Sequence, residues 1–152
     1  MRHVLIFAAA LHAAMFSASM TAAAQSDATL FFSCAIERKS AKSNLAFAKL
    51  VCDQMQAALA EAYQRKTERL AGAALPKSSS PASPRWALLR IVLNGPFAAT
   101  AALSFGDTGK IGAGAASASP LLNVSSSDAS LNASAAANLV QGLKLYFPGK
   151  KN

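Results

Sequence analysis

The spacing of apolar residues along the chain predicts strands and helices in a definite order. From Leu30 to Ile36, apolar side chains occupy every second position, which indicates a strand with one buried face. From Ser43, a residue suited to cap a helix, apolar side chains recur at helical spacing, and Gly72 follows as a residue suited to end that helix. The first half of the chain therefore predicts one strand followed by one long helix.

Three further strands and a second helix follow in the second half. The segment 85–93 is apolar on both faces, which is typical of a central strand. After a turn signal at 94–96, every second residue of 97–105 is apolar, which indicates a strand with one buried face. Residues 120–125 predict a fourth strand, and the apolar residues of 131–147 return to helical spacing.

This order, β-α-β-β-β-α, favours the α+β class. We expect an antiparallel four-stranded sheet with two helices on one face. The segment 76–84 is rich in serine and proline, so we expect a loop there. Because that loop is short, we place it within a single domain that spans residues 25–152.

The first residues have the layout of a secretory signal, which we place at 1–24. A short basic start with Arg2 precedes the apolar run 4–20, and the alanines at 22–24 provide the small residues at which a signal peptidase cuts. We therefore expect cleavage before Gln25, an exported protein in the periplasm or outside the cell, and no transmembrane anchor after cleavage. The alternative is an uncleaved anchor, because residues 4–24 are just long enough to span a bilayer.

Cys34 and Cys52 are the two cysteines of the chain, and each lies on the apolar face of its predicted element. In an exported protein, two thiols that face one interface between a strand and a helix indicate a disulfide. A redox pair usually has the closer C-x-x-C spacing, and a zinc site needs about four ligands. We therefore expect a structural disulfide and no metal site.

Charge and histidine content narrow the function classes. The chain has 15 lysines and arginines against 7 acidic residues, a formal net charge of +8. Loss of the predicted signal removes Arg2, His3 and His12, which leaves 14 basic against 7 acidic residues, a net charge of +7, and no histidine. Such a mature chain has no Ser-His-Asp triad, no Cys-His nucleophile and no histidine metal ligand. We expect no catalytic residues and no cofactor.

Basic residues gather in two clusters, one after the first predicted strand and one at the end of the first helix. The first consists of Arg38, Lys39 and Lys42, and the second of Arg65, Lys66 and Arg69. These side chains are candidates for binding anionic groups, and the simpler alternative is that they only keep an exported protein soluble. Because aromatic residues are not interleaved with them as stacking platforms, we expect no nucleic-acid partner.

One short motif matches a catalytic signature. Asp107-Thr108-Gly109 is the triplet of aspartic proteases, in which two such carboxylates share a proton. The chain has a single copy, flanked by Gly106 and Lys110, and the predicted long helix does not suit an all-β protease. These features favour a hairpin turn over a catalytic carboxylate.

Two functions from different classes follow from these observations. The first is a non-catalytic module that binds a protein partner or an anionic envelope component, and it is favoured by export, the disulfide and the missing histidine. The second is a hydrolase that uses carboxylates alone, with Asp107 or with a pair drawn from Glu37, Asp53, Glu61 and Glu68. Because no two of these carboxylates are placed together by the sequence, we expect that the protein is not an enzyme.

Overall fold

A computed structural model describes residues 28–77, 82–127 and 129–149 of the chain. The predicted signal 1–24 and part of the predicted loop 76–84 lie outside the described residues, so signal cleavage stays a prediction. No helix in the described segments is long and apolar enough to cross a membrane.

The predicted α+β class is confirmed. The strands are β1 (Leu30–Arg38), β2 (Thr67–Arg69), β3 (Trp86–Leu93), β4 (Ala98–Gly106), β5 (Ser117–Ala118) and β6 (Leu122–Ser125), and the helices are α1 (Leu45–Tyr63) and α2 (Ala133–Lys144). The four predicted strands correspond to β1, β3, β4 and β6, and β2 and β5 are two short additions.

The sheet is mixed and has six strands in the order β2-β1-β3-β4-β5, with β6 also pairing with β4. β1 runs parallel to both β2 and β3, whereas β4 runs antiparallel to β3, β5 and β6. The prediction of an antiparallel four-stranded sheet was therefore wrong in strand number and in the orientation of β1. The reason is that α1 crosses over one face of the sheet between β1 and β3, and a crossover of this kind joins parallel strands.

α1 is shorter than its sequence pattern predicts. It ends at Tyr63, where Gln64 adopts a left-handed backbone with φ of 49° and donates its N–H to the carbonyls of Ala60 and Glu61. The chain then enters β2 instead of continuing as a helix to Gly72. β2 contains no apolar side chain, so the periodicity of the sequence gave no sign of it.

The main core lies between the helices and the sheet. Every second residue of the three long strands faces the helices, and the fully buried side chains include Leu30, Phe32, Leu89, Ile91, Leu93, Leu103, Val51, Met55, Leu59 and Leu143. Burial of one such side chain contributes about 1.5–3 kcal/mol. This face therefore holds both helices on the same side of the sheet, as the sequence predicts.

A second, smaller cluster lies on the other face of the sheet. Phe31 and Trp86 are buried there with Ile111, and Leu70 and Leu75 pack against them. Ile111, Leu70 and Leu75 belong to loop segments, and these loops cross only the half of the face where β1 and β3 begin. Within the part of the chain that the structure describes, nothing covers the other half of this face, and we call it the open face.

Asparagine caps the N-terminus of each helix. Asn44 and Asn132 each accept, through Oδ1, the N–H of the residue three positions further on, at 3.0 Å. Ser43, the cap predicted for α1, is buried instead and donates its hydroxyl to the carbonyl oxygen of Leu93 at 3.2 Å. The serine thus fastens the start of α1 to the end of β3.

α1 and α2 run side by side in the same direction. At their starts, Nδ2 of Asn44 donates to the carbonyl oxygen of Leu131 at 2.9 Å, and at their ends the hydroxyl of Tyr63 donates to the carbonyl oxygen of Pro148 at 3.0 Å. β1 begins near the latter end, because its first residue hydrogen-bonds the backbone just beyond α1. We call that end the chain-end pole and the opposite end the helix-start pole.

Candidate binding site

The predicted disulfide joins Cys34 of β1 to Cys52 of α1, with Cα atoms 6.1 Å apart. Cys52 is buried and Cys34 is half-buried, so the bridge fastens β1 to the helix that covers it. No free cysteine and no group of three or more potential metal ligands occurs in the described segments. A buried disulfide of this kind is typical of proteins in an oxidising compartment.

The loop from Arg38 to Lys42 joins β1 to α1 at the helix-start pole, and we call it the basic loop. Nη2 of Arg38 donates to the carbonyl oxygen of Ala41 at 2.8 Å. Lys39 forms an exposed ion pair with Glu37, and the hydrogen bond from its ammonium holds the pKa of that carboxyl below its usual value. Lys42 has no side-chain partner among the described residues. All three cations are exposed to solvent.

The second basic cluster lies at the chain-end pole, where Arg65 has a structural position. Its side chain is buried, with Nη2 donating to the carbonyl oxygen of Pro84 and the guanidinium lying 5.6 Å from the centre of the Tyr63 ring. Burial also lowers the pKa of Arg65 from its usual value. This predicted anion-binding residue therefore fixes the segment before β3 to the end of α1.

The other two members of that cluster differ in their contacts. Arg69 pairs with Asp53 of α1 at 3.0 Å and lies 5.6 Å from the centre of the Phe32 ring. Lys66 is exposed and has no side-chain partner in the described part of the chain. Of this cluster, only Lys66 presents an uncommitted charge to solvent.

The two basic clusters lie at opposite poles and form no common patch. β1 connects them with nine residues, and an extended strand rises by about 3.3 Å per residue, so they are roughly 26 Å apart. Only the basic loop presents all of its cationic side chains to solvent. The prediction that these residues bind anions stays a prediction, and the geometry favours the basic loop over the second cluster.

A shallow groove of about 360 Å³ lies on the open face, toward the helix-start pole. Its floor is formed by short side chains of three strands, among them Ala35, Thr100 and Ala102, and Leu121, which is 70% exposed, lies at its margin. Such a surface has few atoms to pack against a small molecule and is more typical of a flat interface.

Arg90 is a candidate binding residue that the sequence analysis missed. It lies in β3, lines the groove, and is close enough to Glu37 for its charge to lower the pKa of that carboxyl further. The sequence contained a signal that points to Arg90, because a lone arginine interrupts the otherwise apolar run 86–93. The groove and the basic loop are thus parts of one cationic end of the molecule.

The five carboxylates of the described residues are spread over β1, α1, β2 and the loop after β4, and Asp53 and Glu61, which share α1, are eight residues apart. They are Glu37 at the end of β1, Asp53 in the middle of α1, Glu61 near the end of α1, Glu68 in β2 and Asp107 just after β4. Glu37 and Asp53 are each paired with a cation. Of four grooves lined by described residues, none is lined by two carboxylates. Those four grooves therefore hold no carboxylate pair of the kind that a glycan-cleaving enzyme uses.

Asp107 lies at the start of the loop between β4 and β5, where the sequence analysis placed a turn. The neighbouring Thr108 accepts a hydrogen bond at its carbonyl oxygen from Nε1 of the buried Trp86, at 3.1 Å. Gly109 has a positive φ of 74°, which a glycine adopts without strain. This triplet therefore forms a structural turn around a buried indole.

Comparison of the chain with protein-family models, with curated proteins and with solved structures gave no match.

Proposed function

We propose that this protein is an exported, non-catalytic module that binds an anionic partner, either a protein or an envelope component, through the basic loop at its helix-start pole. Its place is the periplasm or the extracellular space, after removal of the predicted signal. The disulfide supports export, because such bridges persist in oxidising compartments.

The observation that carries the proposal is the exposure of the basic loop. Its three cations, Arg38, Lys39 and Lys42, lie exposed on one short segment, whereas in the other cluster Arg65 is buried and Arg69 is held on the surface by an ion pair with Asp53. Lys39 is paired only with the exposed Glu37, and exposed pairs of this kind contribute about 0–1 kcal/mol. A stronger anionic partner can therefore replace that contact at little cost.

The proposal is tested by two triple variants that remove the same charge from opposite poles. One carries Arg38→Ala, Lys39→Ala and Lys42→Ala, and the other carries Lys66→Ala, Lys77→Ala and Lys110→Ala. Lys77 lies at the chain-end pole because the neighbouring Pro76 accepts a hydrogen bond from Arg85 just before β3, and Lys110 lies there because the neighbouring Ile111 packs with Trp86. Binding is measured to polyglutamate and, separately, to vesicles of phosphatidylglycerol, which represent the protein and the lipid source of negative charge. Phosphatidylcholine vesicles, which carry no net charge, and polylysine are the negative controls.

Replacing the three basic side chains of the basic loop should weaken binding to one of the two anionic probes by at least about tenfold, since each basic residue near an anionic surface contributes about 1 kcal/mol. The second triple variant should bind within about twofold of the parent protein, because its charges lie more than a Debye length away. Equal weakening in both variants would show attraction by net charge alone and would refute the proposal. Thermal unfolding followed by circular dichroism confirms that both variants are folded.

A further inference from the structure

Part of the outer edge of β1 is unpaired. β2 pairs with β1 only from Leu30 to Phe32, whereas β1 continues to Arg38 with β3 on its other side. In the segments that the structure describes, no strand pairs with this edge beyond Phe32. We call the segment from Cys34 to Arg38 the open edge.

The hydrogen bonds along β1 show which backbone groups face the open edge. The N–H of Leu30 is bonded on the β2 side of the strand, and that of Phe31 on the β3 side. Because successive residues of a strand alternate in direction, Cys34, Ile36 and Arg38 turn their N–H and C=O groups away from β3. The open edge is therefore a row of backbone donors and acceptors without a partner strand. The side chains of Cys34 and Ile36 are only half-buried beside it.

The surroundings of the open edge carry more positive than negative charge, and Glu37, which lies within the edge, is already paired with Lys39. Arg38 ends it, and Lys49 lies on the adjacent flank of α1, one turn before Asp53. Asp53 reaches Arg69 of β2, so this flank faces the β2 side of the sheet and that carboxylate already has a cationic partner. Lys49 is exposed and has no side-chain partner among the residues described.

We propose that the open edge binds an extended, acidic segment of a partner protein, which adds to the sheet as a new strand beside β1. The backbone groups of Cys34, Ile36 and Arg38 supply hydrogen bonds to the incoming strand, as in other cases of strand addition. Its aspartate or glutamate side chains meet Arg38 and Lys49, and this charge complementarity sets the preference for the partner. The proposal names the partner class of the function proposed above and rests on that function.

A second copy of the chain fits the open edge less well than an acidic segment. Antiparallel pairing centred on Ile36 brings Arg38 and Lys49 of both copies to one seam. Arg38 then lies opposite Cys34 of the other copy, but gathering these cations at one seam is unfavourable because like charges repel, and cations on an edge are a common protection against self-association. The same cations attract a strand of opposite charge.

Amide hydrogen exchange tests the proposal on the protein purified after export. The probes are two short capped peptides that alternate valine and threonine with glutamate in one and with lysine in the other. At saturating glutamate peptide, exchange at the amides of Cys34, Ile36 and Arg38 should slow by about tenfold or more. The amide of Ala35 faces β3 and should keep its rate.

Two variants separate the edge from its charge. Ile36→Pro removes an N–H that faces outward, so it leaves the hydrogen bonds to β3 in place and should abolish the protection. Because proline can also disturb folding, Lys49→Glu is the second variant, and it should weaken binding of the glutamate peptide by about tenfold. Lys110→Glu makes the same change of charge at the chain-end pole and should leave binding within about twofold.

Slower exchange at the three edge amides with the glutamate peptide alone supports the proposal. Binding of that peptide without edge protection overturns the strand addition and leaves the proposed function standing. Absence of binding by either peptide, or equal binding of both, overturns the strand addition, and the polyglutamate and vesicle measurements then decide the proposed function separately. Protection that rises with protein concentration in the absence of peptide overturns the proposal, because it assigns the edge to a second copy.

Discussion

Position 106 requires a glycine because of the indole of Trp86, and not because of its backbone conformation. It is the last residue of β4, it lies opposite Trp86 in β3, and its φ is not positive. A Cβ atom built on Gly106 would lie 2.2 Å from Cζ2 of that fully buried ring. The sequence suggested a turn glycine beside Asp107, because the tryptophan that fills the space is 20 positions away and no local pattern reports it.

Gly106→Ala should therefore destabilise the protein by about 1–3 kcal/mol or more, the usual cost of overpacking a core. Gly72→Ala is the matched control, since a Cβ there meets nothing within 4 Å and no positive φ applies. The control should stay within about 1 kcal/mol of the parent protein. Urea unfolding of the two variants measures the difference, and equal midpoints would contradict the steric role of Gly106.

Tyr63 should make the stability depend on alkaline pH. Desolvation raises the pKa of Tyr63 to about 12 from the ordinary value of 10.0, so the folded state holds the phenol proton more tightly than the unfolded state. The stabilisation that results is complete below the unfolded pKa and is lost as the pH rises from about 10 to 12. Tyr63→Phe lacks this titration and also lacks the hydrogen bond to Pro148.

We expect Tyr63→Phe to be less stable than the parent protein at neutral pH, because one hydrogen bond contributes about 0.5–1.5 kcal/mol. The gap between the two proteins should narrow as the pH rises through the same interval. Denaturant midpoints measured over this range check the slope. A gap that stays constant would mean that Tyr63 titrates alike in both states.

At the scale of elements, the disulfide fastens the parallel crossover. Cys34 and Cys52 are 18 positions apart, and closing a loop of this length stabilises the fold by about 3 kcal/mol in the chain-entropy model. Cys34→Ala and Cys52→Ala should each lower the stability by about 2–5 kcal/mol. The double variant should lose little more, because each single change already removes the whole bridge.

Reduction of the parent protein is the control for this prediction. A reductant should lower its unfolding midpoint close to that of the double variant and should leave the double variant unchanged. A parent protein that unfolds alike with and without reductant would contradict the stabilising role of the bridge.

The helix caps offer a second comparison between elements. Asn132→Ala removes one capping hydrogen bond and should cost about 1 kcal/mol. Asn44→Ala removes the cap of α1 and also the bond to Leu131, so it should cost about 2 kcal/mol. Asn44→Asp keeps the capping acceptor but loses the donor, and its unfolding midpoint should fall between that of the parent and that of Asn44→Ala. Equal costs at Asn44 and Asn132 would mean that the bridge to Leu131 contributes nothing.

Sequence patterns predicted the elements better than their pairing. The alternation from Leu30 and the helical spacing after Asn44 both reflect burial against the same core, so they are visible locally. β1 pairs in parallel with β3 because α1 crosses over between them. The predicted order of elements already included this crossover, but the prediction of an antiparallel sheet did not take it into account. The sequence could not predict β2, because a three-residue polar strand has no periodicity. It could not predict the open edge either, because whether an edge is unpaired depends on which strands lie beside it.

In the candidate site, too, some features were predictable from the sequence and others were not. The exposed basic loop was predictable, because Arg38, Lys39 and Lys42 follow directly on a strand. The burial of Arg65 was not, because its partners at Tyr63 and Pro84 come together only in the folded chain. A cluster of charges in sequence therefore does not by itself show which of its members reach solvent, since Arg65 also follows directly on the end of a helix.

At the scale of the whole molecule, the two ends of the described chain share the chain-end pole. Residues 149 and 28 should therefore accept a short glycine-serine linker, and new ends can be opened in the serine- and proline-rich segment 76–84. Such a circular permutant should fold with its disulfide and lose no more than about 2 kcal/mol, because loop segments rich in small and polar residues tolerate new chain ends best. Denaturant unfolding of the permutant and the parent measures the difference, and a permutant that fails to form the disulfide would contradict the shared pole.

The shared pole also sets how the domain is displayed when it is attached to something. A bead, a carrier protein or a cell surface coupled through residue 28 or through residue 149 lies on the same side in both cases. The basic loop and the open edge then point outward from the support by the length of β1, roughly 26 Å. An immobilised copy therefore presents the proposed binding surface in the same way whichever end holds it.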